Sequence, residues 1–300
     1  MSVLVVGSVA LDTIKTPLAD VRDVLGGSAS YFSVSASFFS PVSLVAVVGS
    51  DFPQKYIRLF KKRGIDIRGL ETVKGGRTFR WQGRYGWDFN DAKTIATHLN
   101  VFASFDPGII KEHRLSKFVF LANIDPELQQ KVLAQVKNPR LVVSDTMNYW
   151  IEQKPKSLKK LLKKIDIFLL NDLEARQLTG RTNLLKAAGD LLKLGPKRVI
   201  VKKGEHGALL FSKNSLFCMP AFLLENVYDP TGAGDTFAGG FVGYLAKAKS
   251  LNERTLRRAM VYASTMATFA VEDFSLKRLL SIRRGDIERR VRQFRMLTSF

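Results

Sequence analysis

The chain has one cysteine, Cys218, in 300 residues, which excludes an intramolecular disulfide and a cysteine-based metal cluster. It also has no apolar run as long as a membrane span, no signal-like segment at its start, no Pro-Ser-Gly linker, no dividing charge block and no internal repeat. These absences lead us to expect a cytoplasmic protein that occupies 1–300 as one domain and has no membrane partner. No Gly-x-x-x-x-Gly-Lys-Ser/Thr occurs and no Gly-x-Gly-x-x-Gly follows a strand, so Walker-type and dinucleotide-binding readings lose their main support. Negative charge is scarce: 27 Asp and Glu stand against 47 Lys and Arg, a formal charge of +20.

Such an excess invites a nucleic-acid reading, because clustered cations attract phosphates. In residues 156–165, however, leucines at helical spacing alternate with lysines, the pattern of an amphipathic helix with one solvated face. Arg283, Arg284, Arg289, Arg290, Arg292 and Arg295 form a second basic group on a predicted helix. Neither group accompanies a nucleic-acid module, so no specific nucleic-acid partner is expected. The charge itself favours nucleotides and weak RNA contact.

Hydrophobic residues make up 46% of the chain, enough for a sizeable core. Apolar β-rich segments at 3–6, 42–48, 118–122, 140–144, 165–170 and 199–202 alternate with helical patterns at 53–63, 126–136 and 184–194. That alternation predicts an α/β fold with a doubly wound, mostly parallel sheet and helices on both faces. Ligands in such folds bind beyond the carboxyl ends of the strands, where Asp12, Asn123, Asp145 and Asn171 fall. For Asn123 and Asp145 a turn role explains the residue equally well. Residues 77–103 break the rhythm, with Phe79, Trp81 and Tyr85 on one face of a strand and Arg80, Gln82 and Arg84 on the other, then a polar turn at 88–93 and a second β-like run at 94–102. They predict an antiparallel flap, whose aromatic face either covers a ligand or is purely structural.

The most informative stretch is Asp229-Pro-Thr-Gly-Ala-Gly-Asp235 and the helix that follows it. The amides of Gly232, Ala233 and Gly234 at a helix N-terminus suit the negative charge of a transferring phosphoryl group. Asp235 is then placed to accept the proton of an attacking hydroxyl. The helix dipole alone would also favour a carboxylate there.

This segment closely resembles the C-terminal motif of the ribokinase-like, or PfkB-type, carbohydrate and nucleoside kinases, in which Gly-Ala-Gly-Asp supplies the anion hole and the base. Further similarities run in order along the chain: Gly7 to Asp12 after the first strand, the pair Gly26-Gly27, Asn171-Asp172-Leu173-Glu174, and Lys203-Gly204-Glu205-His206-Gly207. The resemblance implies ATP as phosphoryl donor with Mg2+, and an alcohol of a small sugar or sugar-like molecule as acceptor. Asp12, Gly26 and Gly27 would hold that acceptor, Asn171 and Glu174 would organise magnesium through water, and Lys203, Gly204 and Gly207 would lie beside the nucleotide. It also implies a β lid, formed mainly by about 72–103 with part of about 12–25, that often serves as a homodimer interface. A monovalent-cation site, K+ in the family, would use Asp229 and Thr231.

Two departures stand out. Tyr31 occupies the position where many sugar kinases of the family carry a substrate-binding asparagine, so Tyr31 and Trp81 are expected to shape acceptor choice. Near 271–275 a glycine usual in the family is absent, which puts the K+ requirement in question. The alternatives are a nucleoside kinase stacking a base on Tyr31 or the flap, a phosphosugar kinase using Arg77, Arg80 or Arg84, and a nucleic-acid-binding or regulatory protein that keeps the fold without turnover.

Overall fold

The computed structural model describes residues 1–89 and 92–298. Its strands are β1 (Val3–Val6), β2 (Ala10–Lys15), β3 (Asp20–Gly26), β4 (Val42–Gly49), β5 (Ile65–Val73), β6 (Phe79–Tyr85), β7 (Ala92–His98), β8 (Phe118–Leu121), β9 (Leu141–Ser144), β10 (Ile167–Asn171), β11 (Arg198–Lys202), β12 (Ala208–Ser212) and β13 (Leu216–Met219). The helices are α1 (Ser28–Ala36), α2 (Gln54–Lys62), α3 (Pro126–Gln135), α4 (Asn148–Gln153), α5 (Pro155–Leu162), α6 (Asp172–Thr179), α7 (Leu184–Lys193), α8 (Ala233–Ala248), α9 (Glu253–Val271), α10 (Lys277–Ser281) and α11 (Arg284–Thr298).

Every residue of β1, β4, β8 and β9 is buried, which is the signature of strands covered on both faces. Val3 and Val5 of β1 enter one core with α1, α8 and α9, while Leu4 and Val6 enter the other with α3, α5 and α7. The main sheet runs β13-β12-β11-β10-β9-β8-β1-β4-β5. From β11 through β5 it is parallel, and β12 and β13 add an antiparallel edge. The parallel direction brings the carboxyl ends of β1, β8, β9, β10 and β11 to one edge, where the candidate residues collect.

The amphipathic reading of the lysine-rich segment holds: in α5, Leu158, Leu161 and Leu162 are buried and the lysines lie outside. The arginine group on α11 is not uniformly solvated. Arg290 donates to Glu272 at 2.7 Å and Thr268 at 2.9 Å and lies 4.2 Å from the Phe269 ring centre, so it braces α11 against α9.

A second sheet, ordered β3-β2-β6-β7, stands apart from the first. It takes two strands from 10–26 and two from 79–98, and β2 pairs with β6 in parallel. The run predicted over 94–102 ends at His98, because Asn100 turns to φ +49 and opens a short 3-10 segment. Of the polar turn at 88–93, residues 90 and 91 lie outside the described residues. Ile14 and Tyr85 from this sheet pack with Phe274 from the loop after α9, with Trp81 partly buried beside them. On the opposite face Arg80 pairs with Asp23 and Asp51.

Candidate active site

Helix α8 begins after a left-handed residue, Gly232, at φ +72. Two constraints meet there: only glycine adopts that backbone conformation without strain, and a methyl group on Gly232 would overlap the ring of Tyr31. The preceding turn is tied from several sides. Asp229 is fully buried, and its carboxylate accepts the Thr231 amide on one oxygen and the Ser275 amide on the other, both at 2.9 Å. Thr231 Oγ1 donates to Tyr85 Oη at 3.1 Å, joining the flap to the turn. Of the three amides assigned to the phosphoryl group, Ala233 N–H is committed to Pro230 O at 3.1 Å. The Gly232 and Gly234 amides have no backbone acceptor among the described residues.

Asp235 lies in the first turn of α8. Its pKa is pushed up to about 7, first by burial and then by the charge of Asp145, with Lys202 pulling the other way. A carboxyl group that titrates near neutrality suits a general base.

Asp12, on β2, is 3% exposed, and one of its oxygens has no hydrogen-bond partner. Burial, and next the Asp229 charge, raise its pKa to about 8, against a stabilising Gly27 amide. An unpartnered buried carboxylate oxygen costs about 1–3 kcal/mol and is satisfied when a hydroxyl donates to it. Gly26 is required beside it, since a Cβ there would occupy the space of the carboxylate. Gly27 caps α1 at φ +91.

Tyr31 does not stand on the acceptor wall as the family position implies. It is 1% exposed, and its ring backs the Gly232 turn in the core formed with α8. Its hydroxyl makes no hydrogen bond of good geometry, although Ser275 adjoins it, and burial together with Asp229 and Asp12 keeps it protonated far above the usual range. Trp81 remains on the inner flap face, its ring over Gly83 and its Nε1 donating to Thr94 at 3.2 Å. Arg80, weighed for a substrate phosphate, is engaged on the opposite face by Asp23 and Asp51.

Asn171 and Glu174 form a reciprocal capping box: Asn171 Oδ1 accepts the Glu174 amide and Glu174 Oε2 accepts the Asn171 amide, both at 2.7 Å. This structural role accompanies an electrostatic one. Glu174 is 8% exposed, and its pKa rises to about 7, chiefly through burial, with Asp145 and Asp235 adding to the rise and Lys202 opposing it. Lys203, Gly204 and Gly207 form a tight turn in which the Lys203 amide donates to Gly207 O at 2.8 Å.

The sequence reading overlooked Lys202. This last residue of β11 sends its ammonium to Asp145 at 2.7 Å, beside the start of α8. The rule that drew notice to Asp145, a polar residue at the carboxyl end of a parallel strand, applies equally to Lys202. The neighbouring Lys203 drew the attention instead, through its place in the glycine motif.

A sequence profile described as pfkB family carbohydrate kinase matches residues 2–279. A cytidine kinase from Thermococcus kodakarensis is 30% identical over 259 residues, spanning 84% of this chain and 91% of that protein. The crystal structure of a Methanocaldococcus jannaschii nucleoside kinase superposes with a TM-score of 0.78 at 22% identity, covering 97% of this chain and 98% of that one. A ribokinase II-like protein from E. coli, crystallised with ATP and Mg2+, gives a TM-score of 0.75 at 20% identity and covers 99% of each chain. With the Gly-Ala-Gly-Asp turn at the head of α8 and the profile match over nearly its whole length, the chain belongs to the pfkB family of carbohydrate kinases, ATP-dependent phosphotransferases with an alcohol group as acceptor.

Proposed function

We propose that this kinase phosphorylates a hydroxyl on the ribose of a nucleoside. The observation that carries the reading is the pairing of Asp12 with Trp81 across β2 and β6, which sets a carboxylate for sugar hydroxyls next to an indole for a base. The similarity to a cytidine kinase supports it. A free sugar would use Asp12 in the same way and leave Trp81 without a ligand to stack on.

In this reading Asp12 and the Gly26-Gly27 backbone orient the acceptor. Asp235 takes the hydroxyl proton while the oxygen bonds to the γ-phosphorus and the bond to the ADP oxygen breaks, ADP leaving with the electron pair. The Gly232 and Gly234 amides and the dipole of α8 receive the charge on the phosphoryl oxygens. The flap excludes water while Tyr85 holds Thr231.

Magnesium fits the charge of the site. Asp145, Glu174 and Asp235 share the single ammonium of Lys202, and no dedicated cluster of three ligating side chains exists among the described residues, as expected for an ion held mainly by nucleotide phosphates and water. When bound, it neutralises the nucleotide phosphates. Asp229 and Thr231 fit a monovalent cation less well: amide hydrogens already face both Asp229 oxygens, and the Thr231 hydroxyl is engaged by Tyr85. We therefore derive no step through K+. A homodimer through the outer flap face, where Ile95 is exposed, and a cytoplasmic location belong to the same reading; among the described residues no helix is long and apolar enough to cross a membrane.

ADP release measured over nucleosides, pentoses, hexoses and sugar phosphates against an acceptor-free blank tests the acceptor class. A nucleoside should exceed free ribose in kcat/KM by about 10-fold or more, the contribution of stacking one base. Ribose equal to or above every nucleoside would reject the reading. Glu174→Gln keeps the capping box, because glutamine serves at the same position. It should raise the Mg2+ concentration for half-maximal rate about 10-fold and leave the acceptor ranking unchanged; a new ranking at normal Mg2+ dependence would argue against the assignment.

A further inference from the structure

We propose that Lys202, held in place by Asp145, is a positioning residue for phosphoryl transfer: its ammonium is the counter-charge shared by the incoming phosphoryl group and the Asp235 carboxylate. The inference rests on Asp235 being the base.

The geometry comes from three neighbouring strand ends. Lys202 closes β11, Asp145 follows β9, and the strand between them, β10, leads into α6 with its buried Glu174. The Lys202 side chain therefore crosses the end of β10 to reach Asp145 Oδ2 at 2.7 Å. On the way it passes α8 so closely that a Cβ built on Gly234 would lie 3.0 Å from Nζ. Gly234 carries one of the two uncommitted amides of the anion turn, so the ammonium lies beside a residue of that turn.

Asp145 is itself immobilised. Its second oxygen accepts the Thr146 amide at 2.9 Å, and its carbonyl accepts Gln129 Nε2, which also donates to Leu121 O and Ala122 O. A pair fixed in this way loses little freedom when a phosphate arrives, the condition for electrostatic stabilisation without reorganisation.

The charged groups around Asp235 come from separate elements: Asp12 from β2, Asp145 after β9, Glu174 from α6 and Lys202 from β11. Three of these carboxyl groups, those of Asp145, Glu174 and Asp235, share the one ammonium. Burial opposes the charge on Lys202, yet Asp145, then Glu174, and also Asp235 keep it protonated above the usual range. Lys202 is the one group in this set that favours ionised Asp235, whereas Asp145 opposes it. The two partners of this ion pair therefore act on the base in opposite directions, as their opposite charges require.

The test uses the full chain with ATP, Mg2+ and cytidine, or ribose if it ranks first in the acceptor screen. Lys202→Met, Asp145→Asn and the double variant are compared with the parent in kcat, acceptor KM, the pH dependence of kcat/KM and thermal unfolding. Lys202→Met should lower kcat about 100-fold, leave acceptor KM nearly unchanged and move the acid limb of the pH profile up by about one unit. Asp145→Asn should move that limb down. The double variant should resemble Lys202→Met in kcat, because Asp145 acts on transfer through the lysine, while its acid limb should fall between those of the single variants, because each charge acts on Asp235 directly. If Lys202→Met does not fold, Lys202→Arg replaces it; the retained charge should keep the acid limb in place while the altered reach lowers kcat. Acid limbs that stay put in both neutralising variants, that move in one direction, or losses that simply multiply in the double variant would overturn the proposal. Near-normal turnover in Asp235→Asn would instead overturn the underlying assignment of the base.

Discussion

Asp235→Asn should lower kcat about 100- to 10,000-fold, the range that removal of a general base produces. Asparagine keeps the size of the side chain and its place in the first turn of α8 but cannot take the hydroxyl proton. The pH dependence carries a second part of the same expectation. Asp235 titrates near 7 and is active only when ionised, so kcat/KM should fall about 10-fold per pH unit below 7 and level off above it. The sign for stability is opposite. A carboxyl group whose pKa is raised by folding stabilises the folded state below its unfolded pKa of about 4 and loses that contribution as pH rises through 7. At pH 8 the neutral asparagine variant should therefore unfold at the same or a higher temperature than the parent. Kinetics and thermal unfolding at pH 8 check both halves. Loss of activity together with a lower unfolding temperature would point to a structural role for Asp235.

The second large effect is expected at Gly232. Gly232→Ala forces a side chain into a left-handed conformation, at about 1–2 kcal/mol, and drives its methyl group into the Tyr31 ring. The chain relieves this by moving the turn, and a displacement of about 1 Å at a reacting centre costs about 100-fold in rate. We expect kcat to fall by that factor with a measurable drop in unfolding temperature. Tyr31→Ala added to Gly232→Ala should recover part of the rate by removing the overlap, while the left-handed strain remains. Additive losses in the double variant would show that Tyr31 does not buttress the turn.

Much of the scaffold is legible from sequence because its strands are apolar throughout. Val3–Val6 and Phe118–Leu121 are buried on both faces, and such runs need no distant information to be recognised. The second sheet is harder. Its first two strands are half polar, and the pairing of β2 with β6 joins Asp12 to Trp81 across 69 positions of chain. The Gly-Ala-Gly-Asp turn is legible since its glycines and carboxylate are local chemistry. What the local pattern cannot carry is which of its amides are free: Ala233 N–H turns back to Pro230, a detail of turn geometry. Tyr31 illustrates the same limit. Its place after Gly26-Gly27 points to the acceptor, whereas the crossing of α1 with α8 buries its ring behind Gly232. Lys202 escaped notice because its partner, Asp145, is two strands away in the sheet.

The absence of a family glycine near 271–275 also acquires a physical form. Ser275 adopts φ +56, the conformation a glycine would take most easily. Its hydroxyl donates to Leu25 O at 2.5 Å and its amide to Asp229, so two hydrogen bonds hold the strained residue in place. The loop after α9, the strand carrying Gly26 and the anion turn are thereby fastened to one another.

The most direct test of the central claim is the product balance of a reaction with ATP, Mg2+ and cytidine, followed by phosphorus NMR or mass spectrometry for the parent and for Asp235→Asn. The account predicts one phosphorylated nucleoside for each ADP formed by the parent, and both products formed about 100- to 10,000-fold more slowly by the variant. ADP accompanied by inorganic phosphate with no phosphorylated nucleoside, or equal product formation by Asp235→Asn, would contradict it.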